Sequence, residues 1–172
     1  MLKTGEVIED LQYKGLRIIQ QESAFHFGTD AVLLANFAKA RKGERVVDLG
    51  TGTGIIAILM SGKTNAKEIV GVEIQEKSAD MAQRSVELNG IENIRIIHGD
   101  FRQPVLEKNA FHVAVSNPPY RKIGSGDINL SDEQVIARHE VCCNLTELAE
   151  TAKNLLVNQG RFYMVHQAER LA

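Results

Sequence analysis

The 172-residue sequence predicts an α/β fold, a doubly wound and mostly parallel sheet with helices on both faces. Three observations carry that expectation. Short apolar runs rich in β-branched residues alternate with stretches of helical period along nearly the whole chain. The run Val46-Val47-Asp48-Leu49 breaks into glycines at every second position, Gly50, Gly52 and Gly54, before an apolar stretch from Ile55 to Met60. Polar residues stand where the apolar runs end: Asp48, Glu73, Asp100 and Asn117.

Taken in order, residues 1–24 hold Leu16-Arg17-Ile18-Ile19 after a turn signal at Gly15, which reads as a β-hairpin or extended arm ahead of the α/β unit of residues 25–172. In the stretch from Phe25 to Phe37, Thr29 or Asp30 suits an N-cap, and Ala31, Leu34, Ala35 and Ala38 fall on one helical stripe. Arg41-Lys42-Gly43 reads as that helix's C-terminal end. Ile69–Ile74 is a second strand, and Glu76–Asn89 a helix with Ala79, Ala82 and Val86 inward and Gly90 as its stop. Ile94–His98 and Phe111–Val115 are the third and fourth strands. After a Gly/Ser/Asp-rich loop at 124–127 and a piece at 136–140, Leu145–Leu156 reads as a helix and Gly160–His166 as a fifth strand, with a further helix starting at Gln167. Parallel strands joined by right-handed crossovers gather the four polar residues on one rim, outside the strands' carboxyl ends.

The bulk composition narrows the function classes. A formal charge of −2, from 20 Lys and Arg against 22 Asp and Glu, argues against a strongly basic nucleic-acid binder while permitting a local basic patch. Neither a membrane-spanning run nor a secretory leader is visible, and the two cysteines, Cys142 and Cys143, are neighbours without disulfide or metal spacing. A reducing cytoplasm, no metal and no membrane are the expectation. The five histidines are scattered and read as structural.

The rim residues have chemistry in common. Glycines at 50, 52 and 54 let a ligand lie against the backbone, and the following helix presents its N-terminus. Glu73, about twenty residues on, suits the two hydroxyls of a ribose. Asp100 offers a carboxylate to an exocyclic amine, and Phe101 a ring face. These describe a nucleoside site without separating a nicotinamide cofactor from another, although the dinucleotide fingerprint is spaced G-x-G-x-x-G. Asn117-Pro118-Pro119-Tyr120 separates them. The two prolines lack N–H donors and fix the backbone, leaving carbonyl acceptors. With the Asn side-chain oxygen and the Tyr face, they suit a planar group bearing an NH₂, for which hydride transfer has no use.

With these residues in view, the stretch from Phe25 to His166 resembles the class I S-adenosylmethionine-dependent methyltransferases. Asp48-x-Gly50-x-Gly52-x-Gly54 is similar to their first motif, and Asn117–Tyr120 to the motif of the branch that methylates planar nitrogens. Phe27–Ala35 and Ala137-Arg138-His139-Glu140 are similar to bacterial adenine-N6 methyltransferases that modify a valine tRNA beside its anticodon. The resemblance implies a Rossmann-like fold, S-adenosylmethionine as cofactor and S-adenosylhomocysteine as product. It places the cofactor on Thr29, Asp48, Gly50, Gly52, Gly54, Glu73, Ile74, Asp100, Phe101 and Asn117, with Asp30 beside Thr29. Transfer would be direct, with Asn117 and Pro118 holding the amine, Pro119 rigid beside them, Tyr120 stacked on a flipped base, and Arg121 and Lys122 on the substrate. Lys14, Arg17, Arg41, Lys42, Arg45 and Arg138 are further candidate phosphate contacts. The family normally continues past the fifth strand into an antiparallel hairpin, so an apolar sheet edge open to association is expected at the end of this chain. A glutamine-N5 protein methyltransferase, a guanine-N2 rRNA enzyme and a non-catalytic cofactor-binding fragment share the same rim. An NAD-dependent dehydrogenase fits it least.

Overall fold

The computed structural model describes residues 2–23, 28–118 and 145–166. The expectations for Phe25–Phe27, for Pro119 to Glu140 and for the helix from Gln167 lie outside the described residues. An antiparallel hairpin, β1 (Glu6–Asp10) and β2 (Arg17–Gln21), precedes α1 (Thr29–Phe37). There follow β3 (Arg45–Leu49), α2 (Ile55–Lys63), β4 (Glu68–Glu73), α3 (Glu76–Leu88), β5 (Ile94–His98) and β6 (Phe111–Ser116). After the undescribed segment come α4 (Leu145–Leu155) and β7 (Leu156–Met164).

Strands β3 to β7 form one parallel sheet in the order β5-β4-β3-β6-β7. Alternation along the strands decides which face each side chain joins. Val46, Ile69, Val113 and Val115 pack in one core with Leu34, Ile58 and Val86, contributed by α1, α2 and α3. Val47, Leu49, Val70 and Val72 pack on the other face with Leu148, Ala152 and Leu155 of α4. The Rossmann-like expectation holds, and the strand order reverses beside β3, between β4 and β6.

Several boundaries differ from the sequence reading. α1 is capped by Gly28 without a side-chain hydrogen bond, so Thr29 and Asp30 lie inside the helix. It stops at Phe37 because Ala38 is extended (ψ 135°), and Arg41–Gly43 form the separate turn into β3. Ile74 lies just past the end of β4. β7 starts four residues before Gly160, since Leu156 already pairs with Phe111. The register then slips, with Val113 facing Arg161, and the extra residues bulge at Gln159, where φ is +63°.

The hairpin is joined to α3. The buried Ser85 hydroxyl accepts the Ile19 amide at 2.9 Å, and Asn89 accepts the Arg17 amide at 2.8 Å and donates to its carbonyl at 2.6 Å. Arg84 grips Glu6 through two hydrogen bonds, 2.8 and 2.6 Å, and also reaches Asp80, which Lys3 pairs from the other side. Hydrogen bonding by Arg84 holds the Glu6 carboxyl below its usual range, and Lys3 with Arg84 does the same for Asp80. The clamp's stability is therefore fully present above the ordinary carboxylate range and is lost as pH falls through the lowered values. Replacing Arg84 by Met should destabilise the protein by about 2 kcal/mol in urea unfolding at pH 7, and the deficit should shrink at acid pH. A deficit that stayed constant with pH would contradict the clamp.

Candidate active site

The rim is built at the point where the strand order reverses. Gly50, Gly52 and Gly54 all take left-handed backbone angles, φ of 75°, 58° and 92°. That conformation strains any residue with a Cβ, which explains the alternate glycines. The amides of Gly50 and Thr51 both donate to the Val72 carbonyl, at 2.9 and 3.0 Å, and the Gly52 amide donates to the Glu73 carboxylate at 2.8 Å. The other Glu73 oxygen accepts the Gln75 amide at 2.8 Å. Glu73 is thus oriented by two backbone donors, and each of its oxygens keeps a lone pair for a ligand hydroxyl. A Cβ built on Gly50 or Gly52 meets nothing within 4 Å, so both face open space where a ligand can approach the backbone.

Asp48 is fully buried, with one oxygen accepting the Thr51 hydroxyl at 2.6 Å and the other without a hydrogen-bond partner. Burial pushes its carboxyl up to about 7 and the nearby Glu73 charge adds to it, while the Thr51 hydroxyl and the Ala57 backbone amide oppose it. Thr51 and Gly71 are the pair that sequence reasoning passed over. A Cβ at Gly71, in mid-β4, would stand 2.8 Å from the Thr51 methyl, so only glycine leaves room for the threonine that holds Asp48. The signal was a glycine inside an otherwise β-branched strand.

At the neighbouring strand ends, Asp100 follows β5, and Arg102 engages its carboxylate at 2.7 to 2.9 Å, holding its pKa below the usual range. The carboxylate that the sequence offers to an exocyclic amine is therefore already held by a neighbouring guanidinium. Phe101 is half-buried and packs on the α4-side core. The Ile74 carbonyl faces His98 Nε2 at 3.1 Å. On the other side of β3, the Ser116 hydroxyl donates to the Leu49 carbonyl at 2.7 Å. Asp48 pairs with Val115 in register, which carries the half-buried Asn117 and Pro118 up beside the glycine loop. Thr29, exposed at the start of α1, is not among these linked residues, and Pro119, Tyr120, Arg121 and Lys122 lie outside the described residues.

Residues 22–171 match the methyltransferase small domain family. The chain belongs to that family. Among curated proteins, it is 31% identical to the tRNA1(Val) (adenine(37)-N6)-methyltransferase of Tolumonas auensis, a match covering 91% of this chain and 65% of that protein. It is 28% identical to the release factor glutamine methyltransferase of Aliivibrio fischeri, over 74% of this chain and 47% of that one. The chain thus spans about two thirds or less of these relatives' own length. The fold is shared with a geranyl diphosphate C-methyltransferase from Streptomyces coelicolor A3(2) crystallised with S-adenosyl-L-homocysteine (TM-score 0.60, 18% identity, 80% of this chain and 43% of that one). The rim of this methyltransferase domain fits such a cofactor. Its open glycine loop, the oriented Glu73 carboxylate and the unpartnered Asp48 oxygen suit a ribose and a cationic amino-acid moiety.

The raised Asp48 pKa has a cost that can be read. Between the unfolded value near 4 and about 7, the native state keeps a proton that the unfolded state has lost, so stability falls as pH rises across that window. Asp48→Asn should remove this slope. Its stability relative to wild type should increase between pH 4 and 7, by up to about 4 kcal/mol, and level off above. A difference independent of pH would mean that Asp48 is ionised throughout.

Proposed function

We propose that the protein is an S-adenosylmethionine-dependent N-methyltransferase acting on the exocyclic N6 amine of an adenosine in tRNA. The observation that carries the reading is the register that sets Asn117-Pro118 beside the glycine loop, across β3 from Glu73. A group that donates through NH₂ and a nucleoside cofactor are thereby offered adjacent places at one switch point. The curated relatives that modify tRNA support the choice of acceptor.

The bound cofactor would supply an electrophilic methyl on a sulfonium, already a good leaving group. The chain's own task is then positioning and electrostatics. Glu73 holds the ribose hydroxyls, and the glycine loop lets the backbone approach the rest. Asn117 accepts one amine hydrogen on its side-chain oxygen and Pro118 the other on its carbonyl, so the nitrogen lone pair turns toward the methyl. Tyr120 stacks on the base once it has left its helix or loop. Arg121 and Lys122 lie next in sequence, where the acceptor's phosphates would pass. An acceptor of this kind puts the working protein in the cytoplasm.

A second reading has its own support in the glutamine methyltransferase relative, since a side-chain amide presents the same planar NH₂. The two are separated by incubating the protein with radiolabelled S-adenosylmethionine and either tRNA from a strain lacking the gene or unmethylated release factor. Label should appear in the RNA as N6-methyladenosine, and Asn117→Ala should lower kcat by about 10²-fold or more while the cofactor still binds. Label in the release factor alone would transfer the assignment to glutamine. Glu73→Gln should weaken cofactor binding about 10- to 100-fold by calorimetry, because a charge-assisted bond contributes about 1.5–3 kcal/mol.

A further inference from the structure

The end of the molecule opposite the rim carries an arrangement that methyl transfer does not use. α2 runs away from the glycine loop and ends at Lys63. The turn of the hairpin lies against this end. Lys14 Nζ donates to the Gly62 carbonyl at 2.7 Å, and the Tyr13 hydroxyl points to it at 3.4 Å. A Cβ at Gly62 would stand 2.9 Å from Leu16 and 3.2 Å from the Tyr13 ring, so a glycine inside the helix admits the turn. Lys14 itself is held at φ +52°, unfavourable for a residue with a Cβ. Both features cost stability locally, yet they bring cations together.

Lys63 Nζ lies 4.4 Å from the Tyr13 ring centroid and Lys14 Nζ 5.3 Å. Lys63 also donates to the Asn36 side-chain oxygen, and Lys39 to the Asn36 carbonyl at 3.1 Å. Three ammonium groups therefore surround one ring and one asparagine. Their hydrogen bonds go to neutral oxygens, and none pairs with a carboxylate among the described residues. The C-terminal ends of α1 and α2 contribute only about −0.5 charge each, about −1 against three positive charges. A local surplus of about two positive charges thus persists on a chain whose formal charge is −2. On the same outer face of α1 as Asn36, Leu33 is 62% and Phe37 71% exposed, although the Phe37 ring also meets Tyr163 of β7 edge to face, with centroids 5.8 Å apart.

We propose that Lys14, Lys39 and Lys63 dock the phosphodiester backbone of the RNA substrate, with the exposed Phe37 ring offering a face to an unstacked base. This rests on the RNA reading above and adds a second contact to it. Surplus cations beside an aromatic ring suit a nucleic-acid strand, whose phosphates take the charge and whose bases stack. α2, nine residues long, sets the patch about 14 Å from the glycine loop. The patch would hold the backbone whatever its sequence, while the rim selects the amine.

Binding of an unmodified tRNA transcript to the full chain, measured from 50 to 200 mM salt, tests this. Lys14→Gln/Lys63→Gln should bind about tenfold more weakly, with the slope of log K against log salt shallower by about 1.5. Lys39→Gln, an exposed single change, should lower the slope by about 0.7–0.9 and carries the test if the double variant is unfolded. S-adenosylmethionine affinity should not change in either. Wild-type RNA affinity and slope in the folded variants would overturn the docking site and leave the lysines as helix-end caps, with the RNA reading intact. Failure of the wild-type chain itself to bind tRNA would overturn the RNA reading and the docking site together.

Discussion

Two amide protons, those of Gly50 and Thr51, converge on the carbonyl of Val72. The glycine loop and the two acids beside it depend on that crossing. The chain leaving β3 must turn toward β4 before it can start α2, and only left-handed angles at Gly50, Gly52 and Gly54 let it do so. Once turned, the loop brings the Gly52 amide onto Glu73 and the Thr51 hydroxyl onto Asp48. Gly71 gives way to the Thr51 methyl beneath. A backbone constraint thereby becomes an electrostatic one, because it fixes two carboxyl groups from neighbouring strands at one end of the sheet.

Those two acids are not equivalent. Glu73 is satisfied by two backbone donors, whereas Asp48 is fully enclosed, with one oxygen unpartnered and a neighbouring negative charge. Enclosing a carboxyl in this way is unfavourable unless something cationic or hydrogen-donating joins it. The same geometry that costs folding stability would be offset by a positively charged ligand along the loop, as the proposed function requires. Sites held in readiness often show this opposition between folding and binding.

The fold and the loop were legible because local chemistry and tertiary structure agree there. Val46–Leu49, Ile69–Glu73, Ile94–His98 and Phe111–Ser116 are apolar or β-branched runs bounded by polar ends, and all became strands of one parallel sheet. Where the two levels part, element boundaries follow tertiary packing instead of local pattern. α1 ends at Ala38 because that residue is buried in the core in an extended conformation, a tertiary demand that outranks the cationic end signal at Arg41-Lys42. β7 begins early because Leu156 finds Phe111, and the bulge that absorbs the mismatch leaves no periodic trace. Arg102 closing on Asp100 was invisible for another reason: a contact between residues two apart in a turn depends on loop geometry, not on pattern. The pairing of Gly71 with Thr51 could have been suspected, since a central strand interior rarely tolerates glycine without a close neighbour.

α2 joins these themes, because both of its ends are shaped by glycine for opposite electrical purposes. At its start, Gly54 packs against Ala82 and lets the helix begin directly beneath the loop, so the positive end of the dipole faces the rim. At its finish, Gly62 admits Tyr13 and Lys14, whose ammonium caps the Gly62 carbonyl, while Lys63 and Lys39 turn to the side chain and carbonyl of Asn36 at the end of α1. One helix of nine residues therefore carries an acid-lined glycine loop at one end and a cationic surface at the other. Coulomb energy falls with distance and is screened over about 8–10 Å, so a separation of about 14 Å keeps the lysines from neutralising the rim's carboxylates. On the docking proposed for Lys14, Lys39 and Lys63, a polyanion would be drawn to the far end by charge without the acids near the glycine loop being neutralised. The separation along α2 is what makes that division possible.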